Sequence, residues 1–211
     1  MVRMQSSPNC GPRRDGLRPS LIVIHYTAME TAQAALDRLC DPQAEVSAHY
    51  LIGAQGDVTQ MVEEAERAWH AGAGEWCGKD DINSRSIGIE LDNRGCHPFS
   101  EPQMAALEGL LRGIMGRWTI PASGVIGHSD MAPGRKTDPG PHFDWARLEY
   151  QGLAAPKRRH AGSDVDEASF REAAQSAGFT AQADFDTLLH TTRLRRAPWR
   201  TGPLQQADFD L

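Results

Sequence analysis

Three side chains of this 211-residue sequence have the donor types to share one metal ion: His25, His128 and Asp138. Zinc accepts imidazole nitrogen and carboxylate oxygen, and a catalytic zinc site uses three protein ligands while leaving a fourth tetrahedral position for water or substrate. His128 and Asp138 lie in one segment, V-I-G-H-S-D-M-A-P-G-R-K-T-D-P-G-P from Val125 to Pro141, a loop stiffened by three prolines. His25 lies far upstream. Its link to the other two rests on both histidines closing short apolar runs, Leu21 to Ile24 and Val125 to Ile126, that read as strands of one sheet. Plainer readings stand beside this one. A histidine that ends a buried strand can be a hydrogen-bonded core residue, and an aspartate before a proline suits a turn.

Glu90 adds a second kind of chemistry. It interrupts the apolar stretch Ile87-Gly88-Ile89-Glu90-Leu91-Asp92, where an ionisable group is costly unless it is paired or near a metal. A carboxylate there suits a general base, and it equally suits a glutamate on a solvated strand face. Taken alone, Lys136 is a solvated loop lysine, the usual fate of that residue. Trp69 and Trp76 have faces for a sugar or peptide, or for packing of the glycine-rich segment 71–78, which reads as a cleft-lining loop. Asn83 and Arg85 stand where a peptide carboxylate could be met, although surface arginines are common. Cys96-His97 has no spaced partner of the zinc-finger kind.

These residues need a sheet and helices to bring them together. Segment 30–39 has Ala35, Leu36 and Leu39 at helical spacing; 46–52 and 58–62 read as strands joined by a turn at Gln55-Gly56-Asp57; 86–91 reads as a central strand. Ser100, Glu101 and Pro102 start a helix with a favoured cap and first-turn proline, its inward face Met104, Leu107, Leu110, Leu111 and Ile114. The alternation predicts an α/β protein, a mixed central β-sheet flanked by helices, with a small C-terminal helical appendage. The expected partition is a catalytic domain over 1–152, a proline- and charge-bearing linker over 153–164, and a small helical module over 165–211. In that module Asp166 caps a helix carrying Phe170, Ala173, Ala174 and Ala177 that Gly178 ends, and Phe185, Leu188 and Leu189 face the next.

The strings I-V-I-H-Y-T, V-S-A-H-Y-L-I, A-W-H-A-G, S-I-G-I-E-L-D-N and G-H-S-D-M-A-P-G-R-K-T-D-P-G-P, in this order, resemble the zinc-dependent N-acetylmuramoyl-L-alanine amidases of the type 2 amidase family, over roughly residues 5–148. The opening S-P-N-C-G-P-R is similar to the family's entry segment, with Cys10 where an aromatic residue is expected. The resemblance implies Zn²⁺ held by His25, His128 and Asp138, with Glu90 and Lys136 as catalytic partners. It also puts His49, His70 and Trp69 near the cleft as substrate contacts. His70 is in addition a candidate to orient a ligand, or a buried structural histidine. The implied reaction is hydrolysis of the amide between N-acetylmuramic acid, or its 1,6-anhydro form, and L-alanine. A non-catalytic peptidoglycan-recognition protein and an endolysin acting on intact sacculi are the rival readings. The C-terminal F-x-x-A-A-x-x-A-G-F resembles a small peptidoglycan-binding module, and it also suits a structural cap on the catalytic domain.

Composition narrows the partners. A net charge of -6 argues against nucleic acid, which demands a basic face; the peptidoglycan fragment or muropeptide that the resemblance implies as partner makes no such demand. Hydrophobic content of 40% with 24% charged residues is ordinary for a globular chain with a real core. No stretch approaches the roughly 20 apolar residues of a membrane span. The start lacks the apolar core of a signal peptide, and the 4 cysteines show no close pairing. With the cell-wall recycling role that the resemblance implies, the expectation is a monomeric cytoplasmic protein, or a periplasmic one if the true start lies upstream.

Overall fold

The computed structural model describes residues 2–158 and 164–211; positions 159–163 of the expected linker lie outside the described residues. The strands are β1 (Arg3–Met4), β2 (Cys10–Gly11), β3 (Leu21–Tyr26), β4 (Tyr50–Ile52), β5 (Val58–Gln60), β6 (Arg67–Ala68), β7 (Ser86–Leu91) and β8 (Val125–Gly127). The α-helices are α1 (Ala32–Cys40), α2 (Ile82–Arg85), α3 (Glu101–Trp118), α4 (His128–Met131), α5 (Trp145–Tyr150), α6 (Glu167–Ser176) and α7 (Phe185–Arg196). A six-stranded sheet runs in the order β1-β5-β4-β7-β3-β8, and β2 pairs with β6 apart from it. Only β4 and β5 are antiparallel within the large sheet; its other pairs are parallel. This is the mixed sheet flanked by helices that the sequence predicts.

The period of two sorts the central strands into two faces. Ile22 and Ile24 of β3, with Ile87, Ile89 and Leu91 of β7, pack against Leu107, Leu111 and Ile114 of α3 and Leu148 of α5. Leu21 and Val23 point the other way and join Ile126, Met131, Phe170, Ala174, Leu188 and Phe209. The C-terminal helices α6 and α7 therefore share one apolar cluster with the sheet. A third cluster holds Leu36 and Leu39 of α1 against Leu51, Met61 and Val62.

Local signals explain most boundaries. Thr31, Ser100, Asp166 and Asp184 each accept a backbone N–H at the start of α1, α3, α6 and α7. Gly178, at φ 110°, follows α6 in a conformation that side chains avoid. The expected strand over 46–52 is shorter than its sequence pattern, with only Tyr50–Ile52 in the ladder. Ser47 spends its N–H on the Trp69 carbonyl and its hydroxyl on the Asn9 carbonyl, so the chain is tied to the β6 region there.

Because Leu111 is fully buried between α3 and the sheet, Leu111→Ala should cost about 2–5 kcal/mol of unfolding free energy, read from denaturant titration. A loss under about 1 kcal/mol would mean that the face repacks.

Candidate metal centre and active site

Strand register builds the site. His25 lies opposite Glu90 across the β3/β7 pair, and Ile24 lies opposite Gly127 across β3/β8, so His128 emerges one residue past that last paired position. Three neighbouring parallel strands thus bring His25, Glu90 and His128 to their carboxyl ends, the usual ligand edge of such sheets. The loop after α4 returns Asp138 to the same edge, where its carbonyl accepts the Ser129 N–H at 2.9 Å. Tyr26, at the end of β3, hydrogen-bonds through its hydroxyl to Thr137 at 3.0 Å and pins the loop between Lys136 and Asp138.

The donor atoms converge closely. His25 Nδ1 lies 2.9 Å from His128 Nδ1 and 2.9 Å from Asp138 Oδ2, and His128 Nδ1 lies 3.0 Å from Asp138 Oδ2. All three residues are buried.

The hydrogen bonds beyond this triangle assign its tautomers. His128 Nε2 faces the Ala71 carbonyl at 2.8 Å, which only accepts, so the proton sits on Nε2 and Nδ1 is bare. For His25 the assignment runs through a relay. The Ser86 hydroxyl donates to the Ile82 carbonyl at 2.6 Å and so must accept from His70 Nε2 at 3.1 Å. His70 Nδ1 then accepts from His25 Nε2 at 3.0 Å, which leaves His25 Nδ1 bare as well. Two lone pairs and a carboxylate face one another.

Titration sharpens the point. Burial, then the neighbouring His128, pushes His25 down to about 4, and burial carries His70 well below its ordinary value, so both rings are neutral near pH 7. Burial would raise Asp138, but hydrogen bonds from His128 and His25 hold it well below the usual carboxylate range. Those bonds need Nδ1 protons that rings of this tautomer lack. A bound cation resolves the conflict, and the donor set, two imidazole nitrogens and one carboxylate oxygen, fits zinc.

Glu90 and Lys136 line the same cleft, which has a volume of about 410 Å³. Glu90 is half-buried, yet its Oε2 has neither exposed surface nor a hydrogen-bond partner among the described residues. Burial, then the charge of Asp138, raises its carboxyl to about 8, while Lys136 pulls the other way.

The remaining sequence candidates divide. Trp69 and His70 line the cleft. His49 does not: its Nδ1 accepts the Gly88 N–H at 3.0 Å and its Nε2 faces the Glu66 carbonyl at 3.1 Å, so both nitrogens serve the backbone. Trp76 turns away from the cleft and packs edge-on against Phe179 at 5.0 Å between ring centres, so the far end of the 71–78 loop faces the C-terminal segment while Ala71 stays at the site. Asn83 holds the turn by accepting the His70 and Ala71 N–H groups, and Arg85 donates to the Asp80 carbonyl. Sequence reasoning missed Ser86 as a relay member. The small residues of Ser86-Ile87-Gly88 were its one signal, since a Cβ on Gly88 would stand 2.5 Å from His70 Cγ.

A parallel-edge cluster of two imidazoles and one carboxylate beside an unpartnered carboxyl has the donor set of a candidate metal site. Comparison with known proteins then gives the family: residues 15–141 match the N-acetylmuramoyl-L-alanine amidase family, and the chain belongs to it. It is 42% identical over 154 residues to the N-acetylmuramoyl-L-alanine amidase AmiD of Escherichia coli (strain K12), a match covering 65% of this chain and 55% of that relative. It is 36% identical over 164 residues to the 1,6-anhydro-N-acetylmuramyl-L-alanine amidase AmpD of the same organism, covering 70% of this chain and 90% of that one. The solved complex of E. coli AmiD with anhydro-N-acetylmuramic acid-L-Ala-D-gamma-Glu-L-Lys superposes with a TM-score of 0.81 at 32% identity, over 98% of this chain and 89% of that one.

His70→Phe removes the relay at His25 and should weaken zinc binding roughly 10- to 100-fold in a chelator competition; parental affinity would exclude a role for the relay in holding the ligand. The raised Glu90 carboxyl gives a second test. Between about pH 4.5 and 8 the folded, metal-free protein retains a proton there that the unfolded chain has lost, so stability falls as pH rises through that window. Metal-free Glu90→Gln should show a flatter fall of Tm with pH than the parent; identical slopes would remove Glu90 from the linkage.

Proposed function

We propose that this chain hydrolyses the amide joining the lactyl group of N-acetylmuramic acid, or of its 1,6-anhydro form, to the L-alanine of a muropeptide, using zinc held by His25, His128 and Asp138. The observation that carries this reading is the convergence of three proton-free acceptors beside the unpartnered Glu90 Oε2. The substrate class rests on family membership and on the relatives, one named for the 1,6-anhydro substrate and one solved with an anhydromuramyl tripeptide.

Bound zinc supplies Lewis acidity, polarising an amide carbonyl and lowering the pKa of water. The rest of the reaction belongs to the side chains. A cation held by His25, His128 and Asp138 would favour the ionised form of Glu90; as carboxylate it takes a proton from the attacking water as the C–O bond forms, then returns it to the alanine nitrogen as the C–N bond breaks. The Lys136 ammonium stands beside the oxygen on which negative charge grows, and in a partly dry cleft a fixed cation favours that charge. Trp69 gives the sugar or peptide an apolar face along the cleft. His70 and Ser86 hold His25 in the tautomer that presents Nδ1.

The reading extends to place and partners. Cys10, Cys40, Cys77 and Cys96 are all free thiols, which suits a reducing compartment, and no helix among the described residues is long and apolar enough to cross a membrane. The likeness to relatives named for the 1,6-anhydro substrate supports a place for this activity in muropeptide recycling.

Incubation of the purified, zinc-analysed protein with anhydro-muropeptide and, separately, with intact sacculi tests the assignment. Free stem peptide should appear from the muropeptide; release from neither substrate would end the hydrolase reading. Glu90→Ala should retain one zinc per chain and lose roughly 10²- to 10⁴-fold in turnover. Parental turnover would show that another group is the base.

A further inference from the structure

The metal-side histidine His128 begins a four-residue helical turn, and one buried carboxylate fixes the corner from which that turn leaves the sheet. Asp130 is 1% exposed, and its Oδ2 accepts the Gly127 N–H at 2.8 Å. The corner is crowded: a Cβ on Gly127 would stand 2.7 Å from Pro139 Cδ, beside Asp138. The Ser129 N–H in the same turn holds the Asp138 carbonyl. One corner thus carries His128 and anchors Asp138.

The group that neutralises Asp130 comes from far along the chain. Arg195, near the end of α7, donates through Nη1 to the same Oδ2 that holds Gly127 and through Nη2 to the Val125 carbonyl at 3.2 Å. Its guanidinium carbon lies 3.8 Å from the centre of the Trp145 ring, and the side chain is almost fully buried. A cation held by a carboxylate, a strand carbonyl and an indole face is fixed in direction as well as in charge.

We propose that Arg195 is a positioning residue for the metal centre: acting through Asp130, it sets the Gly127 corner and hence the aim of His128, so the C-terminal helices are part of the active-site scaffold. This rests on the reading of His128 as a metal ligand. A neighbouring pair supplies an internal control. Arg193 of the same helix makes a buried ion pair with Asp208, entirely within the C-terminal segment and away from the corner.

The test uses the full-length chain and reads the zinc dissociation constant by chelator competition, Tm, and kcat and KM on anhydro-muropeptide. Arg195→Met should weaken zinc roughly 10- to 100-fold and lower kcat with little change in KM, because the corner moves the metal rather than the substrate contacts. Arg195→Lys should recover part of that loss. Asp130→Asn with Arg195→Gln replaces the pair by a neutral hydrogen bond and leaves no uncompensated buried charge, so a folded protein carries the measurement if Arg195→Met fails to fold. Arg193→Met should lower Tm while zinc affinity stays parental. Parental zinc affinity in both Arg195→Met and the double variant, or equal weakening in Arg193→Met, would reduce Arg195 to ordinary stability and overturn the proposal. His128→Ala separates the premise: zinc bound there at parental affinity would sink the metal-site reading itself.

Discussion

Two unprotonated imidazole nitrogens and a carboxylate oxygen, all near 3 Å from one another inside the protein, repel unless something positive lies among them. The rest of the structure sustains that arrangement. The parallel register brings the groups to one edge, the loop closed by Tyr26 and Thr137 delivers the carboxylate, and hydrogen bonds two shells out keep protons on the far sides of both rings. Folding energy from the apolar faces is what holds such an unfavourable cluster together before any ion arrives.

The sheet divides its labour between faces. On one face β3 and β7 present only aliphatic side chains to α3 and α5. On the other, the alternate positions of the same strands read Leu21, Val23, His25 and Ser86, Gly88, Glu90, running from apolar or small to reactive toward the carboxyl edge. Helices α6 and α7 cover the apolar part, while the cleft occupies the reactive end. Chemistry and core are thus graded along single strands, so changes in core packing on this face reach the candidate metal site within two or three residues.

Much of this was legible in the sequence because the signals were local or strongly patterned. The apolar run before His25, the capped α3 and the 86–91 strand follow from periodicity and cap chemistry, and the ordered motifs pointed to the same ligand set that the coordinates bring together. What stayed hidden depends on long-range geometry. His49 and His70 look alike as strand or loop histidines, yet one is consumed by backbone groups and the other touches His25, a difference set by pairing between β4, β7 and the 67–71 segment. Of the two uses the sequence offers Trp76, a sugar face or packing, the contact with Phe179, distant in sequence, selects packing. Nothing near Arg195 in the chain announces its partner at Asp130, 65 positions away in sequence.

Gly88 holds a further consequence. Its bare Cα is what lets the His70 ring lie against β7, within reach of both Ser86 and His25. Positions 70 and 88 are therefore one inherited unit: a lineage that acquires a methyl group at 88 must surrender or swing away the imidazole at 70. Among related chains, a histidine at the first place and any side chain at the second should be mutually exclusive.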